Sequence, residues 1–146
     1  DDVFVSIGQV GGNPNSVSYG PGGQKLIGGN SSSYGDTYTD NDIIGIALDL
    51  DNGAVYFSKN GAFQNSGDPT SGSSRTGSLY NFTASSKVYF FAATVYQTTA
   101  IISANFGSPA YAISSGNTDG NDYGNFEYAV PSGYYALNTK NLAEFG

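Results

Sequence analysis

The sequence predicts an all-β protein, an antiparallel β-sandwich with little or no helix. Two observations support this prediction. The chain has 146 residues, of which 21 are glycine and only 12% are charged, a composition that suits turns and strands better than solvated helices. Short apolar runs alternate with turn residues, and no window of ten or more residues has a capped 3.6-residue apolar repeat. The length fits one domain over residues 1–146.

The clearest element is a hairpin around the pair Asn52-Gly53. Asn-Gly favours two-residue hairpin loops, because both positions of a type I′ turn need a positive φ. A loop of this length would pair Leu50 with Val55 and Leu48 with Phe57. One face of the hairpin would then carry five apolar side chains: Ile46, Leu48, Leu50, Val55 and Phe57. We expect this face to lie in the core.

The rest of the chain is predicted in the same way. A second two-residue loop at Asn60-Gly61 adds a third antiparallel strand over residues 62–64. Further strands are predicted at residues 3–7, 88–96, 99–106 and 126–130. The run 88–96 is apolar on both sides, which is typical of a central strand, and the short connection Gln97-Thr98 predicts a hairpin with the next strand. Three polar, glycine-rich segments, residues 11–38, 64–78 and 108–125, are expected to be long surface loops.

Composition excludes several classes of function. Histidine and cysteine are absent, which removes Ser-His and Cys-His nucleophile pairs, disulfides and the commonest metal ligands. The net charge of −7 disfavours binding to nucleic acids and to anionic membrane surfaces. The longest apolar stretch is far shorter than the roughly 20 residues that a membrane span needs, so no membrane insertion is expected.

No catalytic residue is predicted from the carboxylates. Asp49 and Asp51 flank the first hairpin turn, where a structural or solvated role is expected. Glycosidases usually need two carboxylates at a fixed separation across a cleft. The glutamates are limited to Glu127 and Glu144, and no closely spaced acidic strand motif accompanies them. We therefore expect a protein that is not an enzyme.

A cation site is one of two interpretations of residues 117–122. Their asparagine and aspartate oxygens suit a hard cation such as Ca²⁺, with Asp119 and Asp122 as candidate ligands. The alternative is a hydrated Asx-turn loop, because the twelve-residue EF-hand pattern is only partly matched. Apart from this possible Ca²⁺, no cofactor is predicted.

Loop tyrosines are candidates for a recognition surface. Tyrosine supplies broad amphipathic contact area, while serine and asparagine supply adaptable hydrogen bonds, a mixture that suits sugars or irregular protein surfaces. The candidate ligand-binding residues are Tyr19, Tyr34, Tyr38, Arg75, Tyr96 and Tyr123. The alternative is that such tyrosines cover the open edges of a small sandwich.

Two blocks of the sequence carry a family resemblance. Residues 41–61, NDIIGIALDLDNGAVYFSKNG, resemble the central signature of SPRY-type domains. The segment SANFG at residues 103–107, with FEY and PSGYYALNTKNL later in the chain, resembles the ending of SPRY-like domains in bacteriophage virion and tail-fibre proteins. The resemblance implies a concanavalin-like, jelly-roll sandwich that binds partners through loops at one end.

From this resemblance we expect a non-enzymatic phage virion module that presents loops to a host-surface glycan or protein. The alternative is a structural or decoration protein of a capsid, tail or filament, and a further one is a glycan-cleaving enzyme. Expected partners also include other virion subunits, in a homo-oligomer, and the expected location is the virion or the extracellular space. Because the chain begins at Asp1 and contains no methionine, we expect it to be part of a longer polypeptide.

Overall fold

The computed structural model describes residues 3–7, 16–84, 88–95 and 99–145. The chain divides into two compact units, Asp1–Ala100 and Ile101–Gly146. All the strands named below lie in the first unit, and the second contains one helix, α1 (Thr139–Phe145). That these units form the single domain expected from the length stays a prediction. Within the part of the chain that the structure describes, no helix is long and apolar enough to cross a membrane.

The first unit contains two sheets. The five-stranded sheet consists of β1 (Val3–Ile7), β2 (Ser16–Tyr19), β3 (Gln24–Ile27), β4 (Asn30–Ser33) and β9 (Tyr89–Ala93). Their order across the sheet is β4-β3-β2-β1-β9. The other sheet consists of β5 (Ile44–Asp49), β6 (Ala54–Lys59), β7 (Ala62–Phe63) and β8 (Tyr80–Asn81). Strand β6 lies between β5 and β7, and β8 also pairs with β6.

The all-β prediction is confirmed, with two ladders that differ from the expected antiparallel pairing. Strand β1 runs parallel to both β2 and β9, whereas the five other ladders are antiparallel. Two 3-10 turns, Gln64–Ser66 and Gly72–Ser74, lie in the segment 64–78 that was expected to be a loop. Helix α1 is two turns long, in keeping with the expectation of little helix.

The register of the β5–β6 hairpin differs from the predicted one by two residues. Leu48 lies opposite Val55, and Ile46 lies opposite Phe57. The loop therefore has four residues, 50–53, because the Asp49 carboxylate accepts hydrogen bonds from the backbone and side-chain nitrogens of Asn52, each at 2.9 Å. A shift of two residues leaves every side chain on its predicted face. Leu50, however, is in the turn and 47% exposed, so its predicted place in the core is wrong.

The second Asn-Gly loop has the predicted geometry. Lys59 pairs with Ala62, and the two loop residues Asn60 and Gly61 have φ angles of 48° and 82°. The Asn60 side chain also accepts a 2.8 Å hydrogen bond from the Ile43 amide, which ties the β6–β7 loop to the residue just before β5. The third strand ends at Phe63, one residue earlier than predicted.

The expectation of one long loop over residues 11–38 is wrong, because strands β2, β3 and β4 lie within it. Ile27 pairs with Asn30 across the two-residue loop Gly28-Gly29, whose φ angles are 54° and 81°. Gly-Gly is itself a hairpin signal. The hairpin was not predicted because β4 is entirely polar and lacks the apolar alternation that indicates a strand; each of its residues is exposed.

Three further strand predictions need correction. Residues 88–96 were expected to form a central strand, but β9 ends the order of the five-stranded sheet, and the buried central strand is β6. Residues 99–106 form no strand. Residues 126–130 contribute one isolated bridge, Asn117 to Phe126. Residues 97 and 98, the predicted hairpin connection, lie outside the described residues.

The core of the first unit lies between its two sheets. Val17 and Tyr19 come from β2, and Val55 and Phe57 come from β6. The Tyr19 ring lies 5.8 Å from that of Phe57, centroid to centroid, in a tilted arrangement. Two further buried residues complete the cluster, Tyr34 and Leu79. The predicted apolar face of the β5–β6 hairpin thus packs against β2, a strand that the sequence analysis did not identify.

Candidate functional site

The second unit contains an open groove, which we take as the candidate site. Its volume is about 590 Å³, within the roughly 300–1,000 Å³ of most ligand pockets. Three chain segments, 104–108, 122–124 and 137–140, supply its walls. The lining residues used below are Phe106, Ser108, Asp122, Tyr123, Leu137, Asn138, Thr139 and Lys140.

Beside the groove, the buried Asp119 carboxylate holds two of these segments together. It accepts hydrogen bonds from the backbone nitrogens of Asn121 at 2.9 Å and Tyr123 at 3.0 Å. It also accepts from the backbone nitrogen of Ala136 at 2.9 Å and from the Asn141 side chain at 2.6 Å. Burial raises the pKa of Asp119, but these hydrogen bonds outweigh burial and lower the pKa below its ordinary value. Asp119 therefore anchors the wall as an ionised carboxylate.

Asn138 lies where the segment 137–140 meets the third wall, 104–108. It directly precedes helix α1, and its Oδ1 accepts a 2.8 Å hydrogen bond from the Asn141 backbone nitrogen, which is the geometry of an N-cap. A Cβ placed on Gly107 would lie 3.1 Å from the Asn138 side-chain nitrogen, so the segments meet closely there. Gly107 has a φ of 114°, and its amide donates to the Asn105 side chain at 2.8 Å.

Tyr123 forms one end of the groove. Its hydroxyl donates to the Glu144 carboxylate, whose oxygens lie 2.8 and 3.0 Å away. The Lys140 ammonium lies 4.0 Å from the centroid of the Tyr123 ring, a cation–π contact. The hydrogen bond to Glu144 raises the pKa of Tyr123 above its ordinary value of 10.0.

Several polar groups of the groove have no hydrogen-bond partner among the described residues. Asp122 is exposed in a left-handed backbone conformation, with a φ of 61°, and its carboxylate makes no hydrogen bond or ion pair there. The Asn138 amide uses its oxygen for the helix cap, while its nitrogen bonds to no acceptor. The hydroxyls of Ser108 and Thr139, which also line the groove, have no hydrogen-bond partner among the described residues. Beside them the apolar side chains of Phe106 and Leu137 are 47% and 51% exposed.

Three of the predicted site residues are in the core of the first unit instead of on a loop surface. Tyr19 and Tyr34 are buried, and Tyr38 is half-buried against the same cluster. Their hydroxyls are used internally: Tyr19 donates to the Asp36 carbonyl, Tyr38 donates to the Tyr19 carbonyl at 3.1 Å, and Tyr34 accepts from the Phe57 amide at 3.3 Å. Burial raises the pKa of Tyr34 and of Tyr38 to about 12. The packing requirement explains these positions without a ligand.

Of the remaining candidates, Arg75 belongs to the first unit and Tyr123 to the second. Arg75 is half-buried on the 64–78 loop of the first unit, with a φ of 51°. The Asp68 carboxylate stabilises this loop through Thr70, whose backbone nitrogen and hydroxyl donate at 2.8 and 2.7 Å. Tyr96 lies outside the described residues. Of the predicted ligand-binding residues that the structure describes, Tyr123 alone lines the groove.

The Asp119–Asp122 segment fits the Asx-turn alternative better than the cation site. The Asn121 amide donates to Asp119 two residues earlier, which defines an Asx turn, and four N–H donors occupy the carboxylate. Among the described residues, no cluster of three or more Asp or Glu side chains could hold a metal ion. Asp122 lines the groove.

The sequence analysis did not single out Phe106 or Asn138 as site residues. Both belong to segments noted for their family resemblance, ANFG and ALNT, and that was the available signal. The two residues line the same groove because of contacts between segments about 30 positions apart. A local sequence pattern cannot show such contacts.

Comparison with known proteins gives one match. Residues 4–109 match the family model of the SPRY domain. No curated protein and no solved structure matches the chain.

Proposed function

The chain belongs to the SPRY domain family, and from that premise we propose that it is a non-enzymatic binding module of a phage virion that presents its groove to a host-surface glycan or protein. SPRY domains are generally non-catalytic protein-interaction modules. The observation that carries the proposal is the groove of the second unit, where half-exposed apolar side chains lie beside polar groups without partners. Such a mixture is typical of ligand-binding sites.

The virion context is supported by the sequence segments that form the groove. Two of its three walls come from ANFGS and ALNTK, the segments that resemble the endings of phage SPRY-like domains. The family match ends at residue 109, so the second of these segments lies beyond it. A modest affinity per site is sufficient for a virion protein, because many copies displayed together bind with high avidity.

The groove lining supports binding better than hydrolysis. Asp122 is the one carboxylate among the residues that line it. A glycosidase of the usual kind needs a second carboxylate facing the first. An assay of polysaccharide hydrolysis tests the enzymatic alternative, and we expect no turnover.

The test of the binding function is attachment of the labelled chain to a panel of bacterial cells. We expect saturable attachment to at least one strain, reduced in the variants Asp122→Asn and Leu137→Ser. Asp51→Asn removes the same charge from an exposed turn of the first unit and serves as the matched control. Attachment that is equal in all variants, or attachment to no strain, contradicts the proposal.

A structural role in virion assembly is a second candidate, favoured by exposed valines on either side of strand β9. Val88 and Val95 are 57% and 48% exposed, and β9 itself carries no charged residue. Exposed apolar side chains of this kind are candidate contacts with another subunit. Sedimentation equilibrium of wild type, Val88→Lys and Val95→Lys tests this role. Leu50→Lys, an equally exposed position on the β5–β6 turn, is the control. Oligomers lost only in the β9 variants support assembly.

A further inference from the structure

We propose that the groove of the second unit binds a neutral oligosaccharide, with Phe106 and Leu137 contacting the apolar face of a sugar ring and with Asp122 and Asn138 bonding to its hydroxyls. This inference deepens the proposed binding function and rests on it. Its basis is the combination of apolar surface, unpaired donors and acceptors, and balanced charge in one groove.

The apolar wall suits the C–H face of a sugar. Phe106 and Leu137 are each about half exposed, and Tyr123 adds a second aromatic ring whose hydroxyl already bonds to Glu144. These hydrogen bonds hold the Tyr123 ring in place, and the Lys140 ammonium lies over the ring at 4.0 Å from its centroid. Apolar surface of this kind releases water when it is covered, which contributes to binding.

The polar groups of the groove suit hydroxyls, which both donate and accept hydrogen bonds. The Asp122 carboxylate can accept from two neighbouring sugar hydroxyls, because each of its oxygens has two lone pairs. The Asn138 side-chain nitrogen can donate to a sugar oxygen, since its other polar atom is engaged by the helix cap. The hydroxyls of Ser108 and Thr139 complete the set.

Charge favours a neutral sugar over an acidic one. Within the lining, the positive charge of Lys140 offsets the negative charge of Asp122. The groove therefore has no net positive charge that would attract an anion. The Lys140 ammonium is also engaged by the Tyr123 ring. The whole chain carries a net charge of −7, which repels anionic polymers.

The groove is organised before a ligand binds. Asp119 fixes the backbone at Asn121 and Tyr123, and the Asn138 cap fixes the start of helix α1. A site whose walls are already held loses less conformational entropy on binding. This preorganisation therefore favours binding at this groove.

The test is an NMR titration of the whole chain with defined probes. The neutral probes are hexasaccharides of glucose, mannose, galactose and N-acetylglucosamine, the anionic probe is a hyaluronan hexasaccharide, and an uncharged hexapeptide represents protein ligands. We expect a neutral hexasaccharide to shift the amides of Gly107 and Gly124 saturably, with a Kd on the order of 1 mM.

Two conservative variants test the hydrogen bonds. Asn138→Asp keeps the oxygen that caps the helix but removes the amide donor, and Asp122→Asn keeps a residue type that tolerates a positive φ but removes the charge. Each should weaken sugar binding by about fivefold, whereas Asp51→Asn should not change it. Unchanged affinity in both groove variants overturns the proposal.

Other outcomes of the titration also overturn it. They are binding of the hyaluronan probe or the peptide in place of neutral sugars, shifts that map outside the groove, and no saturable shift with any neutral probe. If cell attachment nevertheless depends on the groove and survives periodate treatment of the cells, the sugar inference fails while the binding function stands. If cell attachment is independent of the groove, both fail.

Discussion

The side-chain amide of Asn141 donates a 2.6 Å hydrogen bond to the Asp119 carboxylate, and both residues are buried. The same nitrogen donates to the Ala136 carbonyl at 2.8 Å, and the Asn141 oxygen accepts from the Asn121 side chain at 2.8 Å. One buried pair thus joins helix α1 to the segment around Asp119 and to Ala136. The second unit has no sheet in the part that the structure describes. Its segments are therefore held together by such side-chain hydrogen bonds, whereas the segments of the first unit are held together by backbone hydrogen bonds between strands.

Replacement of Asp119 should destabilise the second unit. Asp119→Ala leaves four N–H donors without their charged acceptor, and we expect the free energy of unfolding of this unit to fall by about 2–4 kcal/mol. Hydrogen exchange at the amides of Asn121, Tyr123 and Ala136 measures this change. Asp122→Asn, an exposed neighbour, should change stability by less than about 0.5 kcal/mol. Equal protection of these amides in wild type and Asp119→Ala contradicts the role of Asp119.

The stability of the second unit should also depend on acidic pH through Asp119. Its pKa in the folded protein lies below the ordinary value of 3.8, so the ionised form stabilises the fold. This contribution is complete above the unfolded-state pKa and is lost as the pH falls through the folded-state pKa. Unfolding measured between neutral pH and strongly acidic pH should show a steeper loss for wild type than for Asp119→Ala. Parallel curves contradict this assignment.

Gly53 should tolerate no side chain. Its φ is 70°, and a Cβ there would lie 1.9 Å from the Phe82 carbonyl oxygen. At this distance the two atoms overlap, so any side chain would require the backbone to move. Gly53→Ala should lower the free energy of unfolding by about 3 kcal/mol or more. Gly72 is a matched control, with a φ of 57° and nothing within 4 Å of its Cβ position. Gly72→Ala should cost only about 1 kcal/mol, the strain of the backbone conformation alone. Equal losses in urea denaturation would show that the contact with Phe82 is unimportant.

Two core tyrosines should resist ionisation. The pKa of Tyr34 and that of Tyr38 are each raised by burial to about 12, from an ordinary value of 10.0. Stability from these groups is therefore complete below pH 10.0 and is lost as the pH rises through about 12. Phenolate absorbance should show fewer tyrosines ionised at pH 11 in the folded chain than in urea. Tyr34→Phe and Tyr38→Phe should each remove one late-titrating group.

Local patterns predicted much of the first unit correctly, because they act over two to four residues. The Asn60-Gly61 loop has the expected length, since both residues adopt the positive φ that a type I′ turn requires. The Asn52-Gly53 loop does not, because the Asp49 side chain competes for the Asn52 nitrogens and closes a longer turn. The alternation of apolar residues still placed Val55 and Phe57 in the core. Sequence alternation alone decides which side chains share a face of the strand, whereas it does not decide the pairing register.

The tyrosines and the groove show what local patterns could not decide. Tyr19 and Tyr34 have glycine and serine neighbours that are typical of loops, yet the packing of β2 against β6 buries them. Tyr123 has similar neighbours and lines the groove.

The sequence by itself determined the fold class, the apolar face of the central hairpin and the membership in the family, because turn chemistry, side-chain alternation and signature motifs are all local. The tertiary structure decided which aromatic residues are buried and which chain segments meet at the groove. The physical reason is that burial and the pairing of polar groups depend on contacts between residues far apart in the chain. Asp119 and Asn141, 22 positions apart, are paired only when the chain has folded.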